Sequence, residues 1–330
     1  MTDVQVVGLG ALNMDYIYQV ESILGDEETA DPYKYREAEQ KPLGKFPGGS
    51  AANTIYGLAR LGIKTGFVGV IGDDEDGGLL LKDFRKVGVD TSQISMKPRA
   101  KTGLARCLVD KLNFRSIQVT PGANSLLTID DIDLDYINQA EILHISSFVD
   151  SAQLEVLLEL VNKLDSSVKV SFSPGELYAV RGLGPLAPIL ARTHVLFANK
   201  KEVEQLTGRD FKKGAEVCLQ YGCHIVAVTL GRGAKLETMM ATSYVRDASN
   251  EYIIEPGDNR VMAILDTTGA GDAFAAGFLY GLVNEKPLNE CGRLGDIVAR
   301  FSITKTGARQ GLPTLKELSR RYREIYQKKL

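Results

Sequence analysis

Short apolar runs alternate with helix-patterned segments along most of this 330-residue chain. Residues 4–9, 65–70, 142–145, 168–172, 195–198 and 225–230 are near-continuous apolar stretches of strand length, the pattern of strands covered on both faces. Between them, residues 51–61, 78–87, 154–164, 200–207 and 213–221 carry apolar positions at helical spacing. That alternation predicts an α/β fold with a mostly parallel central sheet and helices on both faces. It also says where a site belongs, because ligands of such sheets bind beyond the carboxyl ends of the strands.

Two segments break the rhythm. Residues 16–47 are polar and charged. Residues 103–119 alternate as an antiparallel hairpin does: Leu104, Arg106 and Leu108, a turn at Asn113-Phe114, then Ile117 and Val119. We expect Leu104, Leu108, Ile117 and Val119 to form one apolar face. Residues 314–326 end the chain with a helical stripe of Leu315, Leu318, Tyr322 and Ile325, its basic residues facing solvent.

Composition narrows the function. A net charge of −3 provides no general basic field, which argues against non-specific nucleic-acid binding. No stretch approaches the roughly 18 apolar residues of a spanning helix, and Met1-Thr2-Asp3 does not begin a secretory signal, so a cytoplasmic, membrane-free protein is expected. Cys107, Cys218, Cys223 and Cys291 form no Cys-x-x-Cys pair, and His144, His194 and His224 are scattered. They read as reduced packing residues rather than a zinc site.

The chemistry concentrates in Asp266-Thr267-Thr268-Gly269-Ala270-Gly271-Asp272-Ala273-Phe274. The apolar run 261–265 before it reads as a buried strand, and 273–282 after it as a buried helix. Gly269, Ala270 and Gly271 would then open a helix, where unpaired N–H groups and the helix dipole favour an anion. Asp272 repels that anion unless it has a task, and the simplest task is general-base catalysis. An Asp capping a helix after a tight glycine turn explains the same residues without chemistry.

Five motifs in order then carry a resemblance. The stretch 266–274 resembles the C-terminal signature of the ribokinase-like (PfkB) family of sugar and nucleoside kinases. Gly48-Gly49-Ser50-Ala51-Ala52-Asn53 resembles that family's N-terminal sugar-binding motif. Asn13-Met14-Asp15, Asn199-Lys200-Lys201-Glu202 and Thr229-Leu230-Gly231-Arg232-Gly233 fit further positions. The resemblance covers nearly the whole chain. It implies a single ribokinase-like three-layer domain over residues 1–330, with a small β-sheet lid built from segments 16–47 and 103–119.

The resemblance also implies roles. Asp272 would be the base and Gly269, Ala270 and Gly271 the anion hole. Asn13, Asp15, Gly48, Gly49, Ser50 and Asn53 would bind substrate. Asn199, Thr229, Gly231 and Gly233 would border the nucleotide, and Glu202 would hold magnesium through water. Asp266 and Thr268, with Gly307 and Gly311, match positions beside a monovalent cation such as K+. ATP would be the phosphoryl donor. On the residues alone, Asn13 and Asp15 could also close an Asx turn, Ser50 could cap a helix, and Asn199 with Glu202 could be a capping box.

The expected function is ATP-dependent phosphorylation of a sugar hydroxymethyl group. A nucleoside kinase is the alternative, with Tyr16, Tyr18, Phe114 and Phe148 available to line a base slot. Ser50 stands where ribokinase proper commonly has lysine, and residues 25–44 and Arg115 are further points of difference, so ribose itself is one choice among several. A non-catalytic sugar-binding regulator would have lost the base or the glycines, and this chain keeps both. A dinucleotide oxidoreductase does not fit, because Gly8-Leu9-Gly10-Ala11-Leu12-Asn13 is no Gly-x-Gly-x-x-Gly. An apolar lid face further implies a homodimer formed lid to lid.

Overall fold

The computed structural model describes residues 4–20, 42–109, 115–236, 239–257 and 264–330. In chain order the first strands are β1 (Val6–Leu9), β2 (Asn13–Gln19), β3 (Gly44–Gly48), β4 (Thr65–Gly72), β5 (Ile94–Lys97), β6 (Gly103–Val109) and β7 (Arg115–Thr120). The rest are β8 (Ile142–Ser146), β9 (Lys169–Ser173), β10 (Thr193–Asn199), β11 (Ile225–Leu236), β12 (Met239–Asp247) and β13 (Glu251–Ile254). Among the described residues, nine strands form one sheet in the order β13-β12-β11-β10-β9-β8-β1-β4-β5, parallel from β11 to β5. Its other end, β11-β12-β13, is an antiparallel meander.

Eleven α-helices accompany the described strands, the last three following β13: α1 (Ser50–Arg60), α2 (Glu75–Lys86), α3 (Leu134–Asn138), α4 (Ser151–Lys163), α5 (Gly175–Ala179), α6 (Leu183–Arg192), α7 (Lys200–Thr207), α8 (Phe211–Gln220), α9 (Ala270–Val283), α10 (Leu288–Ser302) and α11 (Leu315–Tyr326). Successive strand residues point to opposite faces, and β10 shows the result. Val195 and Phe197 join the core under α1, α9 and α10, while Leu196 and Ala198 join the one under α4, α6, α7 and α8. Phe197 meets Phe274 and Phe278 of α9 edge-on, with ring centroids 6.2 and 5.2 Å away. No described helix is long and apolar enough to cross a membrane.

The small sheet has the order β3-β2-β6-β7, and β6 pairs with β7 antiparallel as the alternation predicts. The apolar face differs from expectation. Leu104 lies opposite Thr120 and Leu108 opposite Ser116, whereas Ile117 faces Cys107 and Val119 faces Ala105. Paired residues share a face, so Leu104 and Leu108 lie on one side and Ile117 and Val119 on the other. Through β2, the second side also carries Asp15 and Ile17. The intervening loop changes the register parity, which alternation within each strand does not reveal. Tyr16 and Tyr18 fall on the side away from Asp15, and the Tyr16 hydroxyl donates to Asp76 of α2, 2.9 Å away. Lys45 of β3 pairs with the same carboxylate.

The segment before the glycine-rich loop is a second correction. Residues 261–263 lie outside the described residues. Ile264 and Leu265 are in no strand and are 45% and 60% exposed. Leu265 N–H bonds the Ile303 carbonyl at the end of α10 (2.9 Å), which ties the start of the loop to a helix terminus. Residues 21–41, which include most of the 16–47 lid segment and of the 25–44 stretch, also lie outside, as do Asn113 and Phe114.

Candidate active site

Two turns that the sequence places more than 200 residues apart meet here. The first is the start of α1. Gly49 precedes it with φ 97°, and the carbonyl of Ala11 lies where a side chain would go, so only glycine fits. Ser50 does not cap the helix. Its hydroxyl instead donates to Asp272 Oδ1 (2.7 Å), and Asn53 Nδ2, one turn on, donates to Asp272 Oδ2 (2.9 Å). Thr54 reaches the Asp272 carbonyl (3.3 Å).

The second turn is the start of α9. Gly269 takes φ 73° at the N-cap, and a Cβ on it would stand only 2.5 Å from the Cβ of Ala308. No side chain caps this helix. Ala270 N–H turns back to Thr267 O (3.2 Å), which leaves the N–H groups of Gly271 and Asp272 as the uncapped helix start. Gly271 is helical, and a Cβ on it would meet nothing within 4 Å. The positive φ of this motif therefore belongs to Gly269, and Gly271 borders open space.

That space is a cavity of about 240 Å³. It is lined by the loop 269–272 together with Ser50, Asn199, Glu202, Thr229 and Ser173. Asn199 caps α7: its Oδ1 accepts from Glu202 N (2.9 Å), and Glu202 Oε2 accepts from Asn199 N (2.8 Å). The capping box is thus present, and it fixes the Glu202 carboxylate at the cavity wall. Burial pushes the Glu202 pKa up, and the negative Asp272 adds to the rise. Lys200 and Lys201 turn outward to Glu204 and Glu176. Thr229 sits where the β11–β12 ladder breaks, the pairing resuming at Ala234 opposite Ala241. Gly231 and Gly233 lie in that break, outside the cavity lining.

Burial also raises the Asp272 pKa, opposed by the Asn53 and Ser50 hydrogen bonds and by Arg309. Asp15 lies across from it on β2, its carboxylate over Gly48. Burial pushes the Asp15 pKa to about 7; Arg309 opposes this, and Asp272 and Asp266 add to it. Asp266 is buried under the glycine loop, where Oδ1 accepts from Thr268 N and Oδ2 from Gly307 N, both at 2.8 Å. It joins the two loops that the resemblance assigns to a monovalent cation.

The motifs did not include Asn124, Ser146, Ser173 or Arg309. Asn124 Oδ1 accepts from Leu12 N (2.9 Å), and its Nδ2 donates to Asn13 Oδ1 (2.9 Å), which orients Asn13. Asn13 faces a cleft with Val119, Asn124, Phe148 and Gln153. Of the four aromatic residues proposed for a base slot, Phe148 alone is described on this side. Ser146 Oγ accepts from Ala51 N (3.1 Å) and pins the first turn of α1. The four cysteines are buried and unbridged.

A profile of pfkB family carbohydrate kinases matches residues 2–315. The chain belongs to this family. Within the pfkB family it is 40% identical over 257 residues to an uncharacterized sugar kinase of Archaeoglobus fulgidus, covering 78% of this chain and 98% of that one. It is 28% identical over 322 residues to a ribokinase of Haemophilus influenzae, covering 94% and 95%. The crystal structure of a Thermotoga maritima ribokinase superposes with a TM-score of 0.78 at 26% identity, over 96% of this chain and 98% of that one. A Methanocaldococcus jannaschii nucleoside kinase shares the fold at 23% identity and a TM-score of 0.77. The pfkB fold expected from the sequence, a mostly parallel sheet flanked by helices with a small separate sheet, is the fold observed.

Proposed function

We propose that this pfkB-family kinase transfers the γ-phosphoryl group of ATP to the hydroxymethyl group of a sugar, with Asp272 as general base. The observation that carries the reading is the placement of one carboxylate at an uncapped helix start. The uncapped N–H groups suit a phosphoryl group in flight, and the carboxylate suits the hydroxyl that attacks it. Ser50 and Asn53 hold the carboxylate still while leaving its oxygens lone pairs for a substrate proton. Asn13 and Asp15, with the Gly48-Gly49 backbone, supply acceptors and donors for the remaining sugar hydroxyls. Thr229, Gly231 and Gly233 follow along the β11 break as the nucleotide-side wall.

Glu202 and Asn199 fit magnesium held through water, since Glu202 Oε2 is spent in the capping box and its second oxygen remains for a hydrated ion. When bound to the nucleotide phosphates, magnesium would neutralise their charge. Asp266 and Thr268, with the Gly307 loop that Asp266 holds, would flank K+. Closure of the small sheet would exclude water from the transfer. Ile117, 56% exposed on the Asp15 side of that sheet, supports either closure or a lid-to-lid homodimer.

A nucleoside is the second reading, supported by the likeness to the nucleoside kinase of Methanocaldococcus jannaschii. A panel of sugars and nucleosides with ATP, read by ADP release, separates the two. Turnover of a free sugar and not of its nucleosides supports the first, the reverse supports the second, and no turnover with either overturns both. A monomer by light scattering at micromolar concentration would remove the dimer.

A further inference from the structure

Arg309 lies between α10 and α11 and is 3% exposed. Its guanidinium spends three nitrogens on three elements. Nε donates to Asn53 Oδ1 on α1 (2.8 Å), Nη1 to Asp83 Oδ2 on α2 (2.8 Å), and Nη2 to the Gly48 carbonyl at the end of β3 (2.9 Å). The rings of Tyr56 and Phe84 stand 5.3 and 5.1 Å from its central carbon. Burying an unpaired guanidinium is strongly unfavourable. Asp83 offsets the charge but accounts for only one of the three contacts.

The Asn53 contact carries the argument. A side-chain amide presents a carbonyl at one end and an NH2 at the other, and its neighbours decide which way round it sits. Arginine can only donate. It therefore holds the Asn53 oxygen on its own side and turns Nδ2 toward Asp272 Oδ2. We infer that Arg309 is a positioning residue for phosphoryl transfer: it aims the Asn53 amide at the Asp272 carboxylate and, through the Gly48 carbonyl, sets the end of β3 against α1. The inference rests on Asp272 being the base.

Without Arg309, the Asn53 amide is free to reverse and set its oxygen against the carboxylate. The ionisable groups around Asp272 are then one-sided. Asp15 on β2 and Glu202 on α7 are acids that interact with it, Asp266 acts in turn on Asp15, and Arg309 is the opposing cation. Losing both the cation and the oriented N–H disfavours the ionised base.

Three single variants and one double variant test this. Each is compared with the parent by melting temperature, kcat, both KM values and the pH profile of kcat, with Asp272→Asn as control. Arg309→Met should lower kcat by about 10- to 100-fold, leave the nucleotide KM within about twofold, and move the acid limb to higher pH. Asn53→Asp keeps an acceptor for Nε but has no N–H for Asp272, so it should fold and show a similar loss. Arg309→Met combined with Asn53→Ala should lose clearly less than the product of the two single losses, because Arg309 acts in part through Asn53.

A folded Arg309→Met or Asn53→Asp with parental kcat and an unmoved acid limb overturns the inference, as do fully additive losses in the double variant. Should Arg309→Met not fold, Asn53→Asp decides alone. If Asp272→Asn itself turns over like the parent, the base assignment falls. If Asp272→Asn is inactive while Asn53→Asp is parental, only the role of Arg309 falls.

Discussion

Two helices begin at the same cavity and begin differently. At α7, Asn199 and Glu202 fill each other's backbone needs in a closed box. At α9, Gly269 contributes no side chain and the first turn is left bare. Both starts lie beyond the sheet on the side where ligands of parallel sheets bind. The filled one spends its dipole on its own residues and presents a fixed carboxylate. The bare one keeps its N–H groups for something else. A vacancy flanked by glycine and faced by a held carboxylate is thus a better pointer to anion chemistry than any charged side chain nearby.

Changes at the bare start should do the most damage. Asp272→Asn keeps the shape and removes the proposed base, so kcat should fall by roughly three orders of magnitude or more with the melting temperature preserved. A kcat within a few-fold of the parent would make the carboxylate a mere cap. Gly271→Val comes next. No fold atom would meet its first carbon, so the protein should fold, while the branched side chain fills the approach to the N–H groups and lowers kcat by about 100-fold. Substrate titrated without nucleotide should bind as before. Lost sugar binding with intact transfer at saturation would assign the glycine to the scaffold.

Changes at the filled start should be milder and should appear partly as stability. Glu202→Gln keeps the box, since an amide oxygen still accepts from Asn199 N. It should therefore melt within a degree or two of the parent yet demand several-fold more magnesium for half-maximal rate. An unchanged magnesium requirement would reduce Glu202 to a capping residue. The smallest effect concerns Asp15. Its pKa of about 7 lies above the ordinary aspartate value of 3.8, so the folded state binds more protons than the unfolded state between those values, and stability falls as pH rises through that window. Asp15→Asn should remove this slope and stabilise the protein at pH 8 by on the order of 1–2 kcal/mol while weakening substrate binding. Parallel pH–melting curves for the two proteins would refute it.

The sequence was legible wherever one physical demand printed one pattern. Strands buried on both faces print unbroken apolar runs, and β1, β4, β8, β9, β10 and β11 were readable from them. Helix α7 matched at both ends because its capping box and the left-handed Gly208 behind it are local signals. The half-buried strands β12 and β13 print a weaker pattern, and of the run 261–265 the described residues, Ile264 and Leu265, are exposed and in no strand. Site residues inside motifs could be named. Asn124 and Arg309 could not, since each is a lone residue whose partners are far away in sequence. An arginine in the glycine-bearing turn Gly307-Ala308-Arg309-Gln310-Gly311 was the one available hint.

The distances along the chain have a kinetic meaning. Ser50 and Asp272 are separated by 222 positions, and Gly48 and Arg309 by 261. Contacts of such span form late, because the loop they close must be ordered before they return any energy. A chain still being synthesised can build β1, α1 and much of the sheet, but it has no carboxylate to hold and no bare helix start to hold it against. Ability to split nucleotide would then switch on only with the final docking of the C-terminal helices, so a partly made or clipped chain stays harmless to the nucleotide pool.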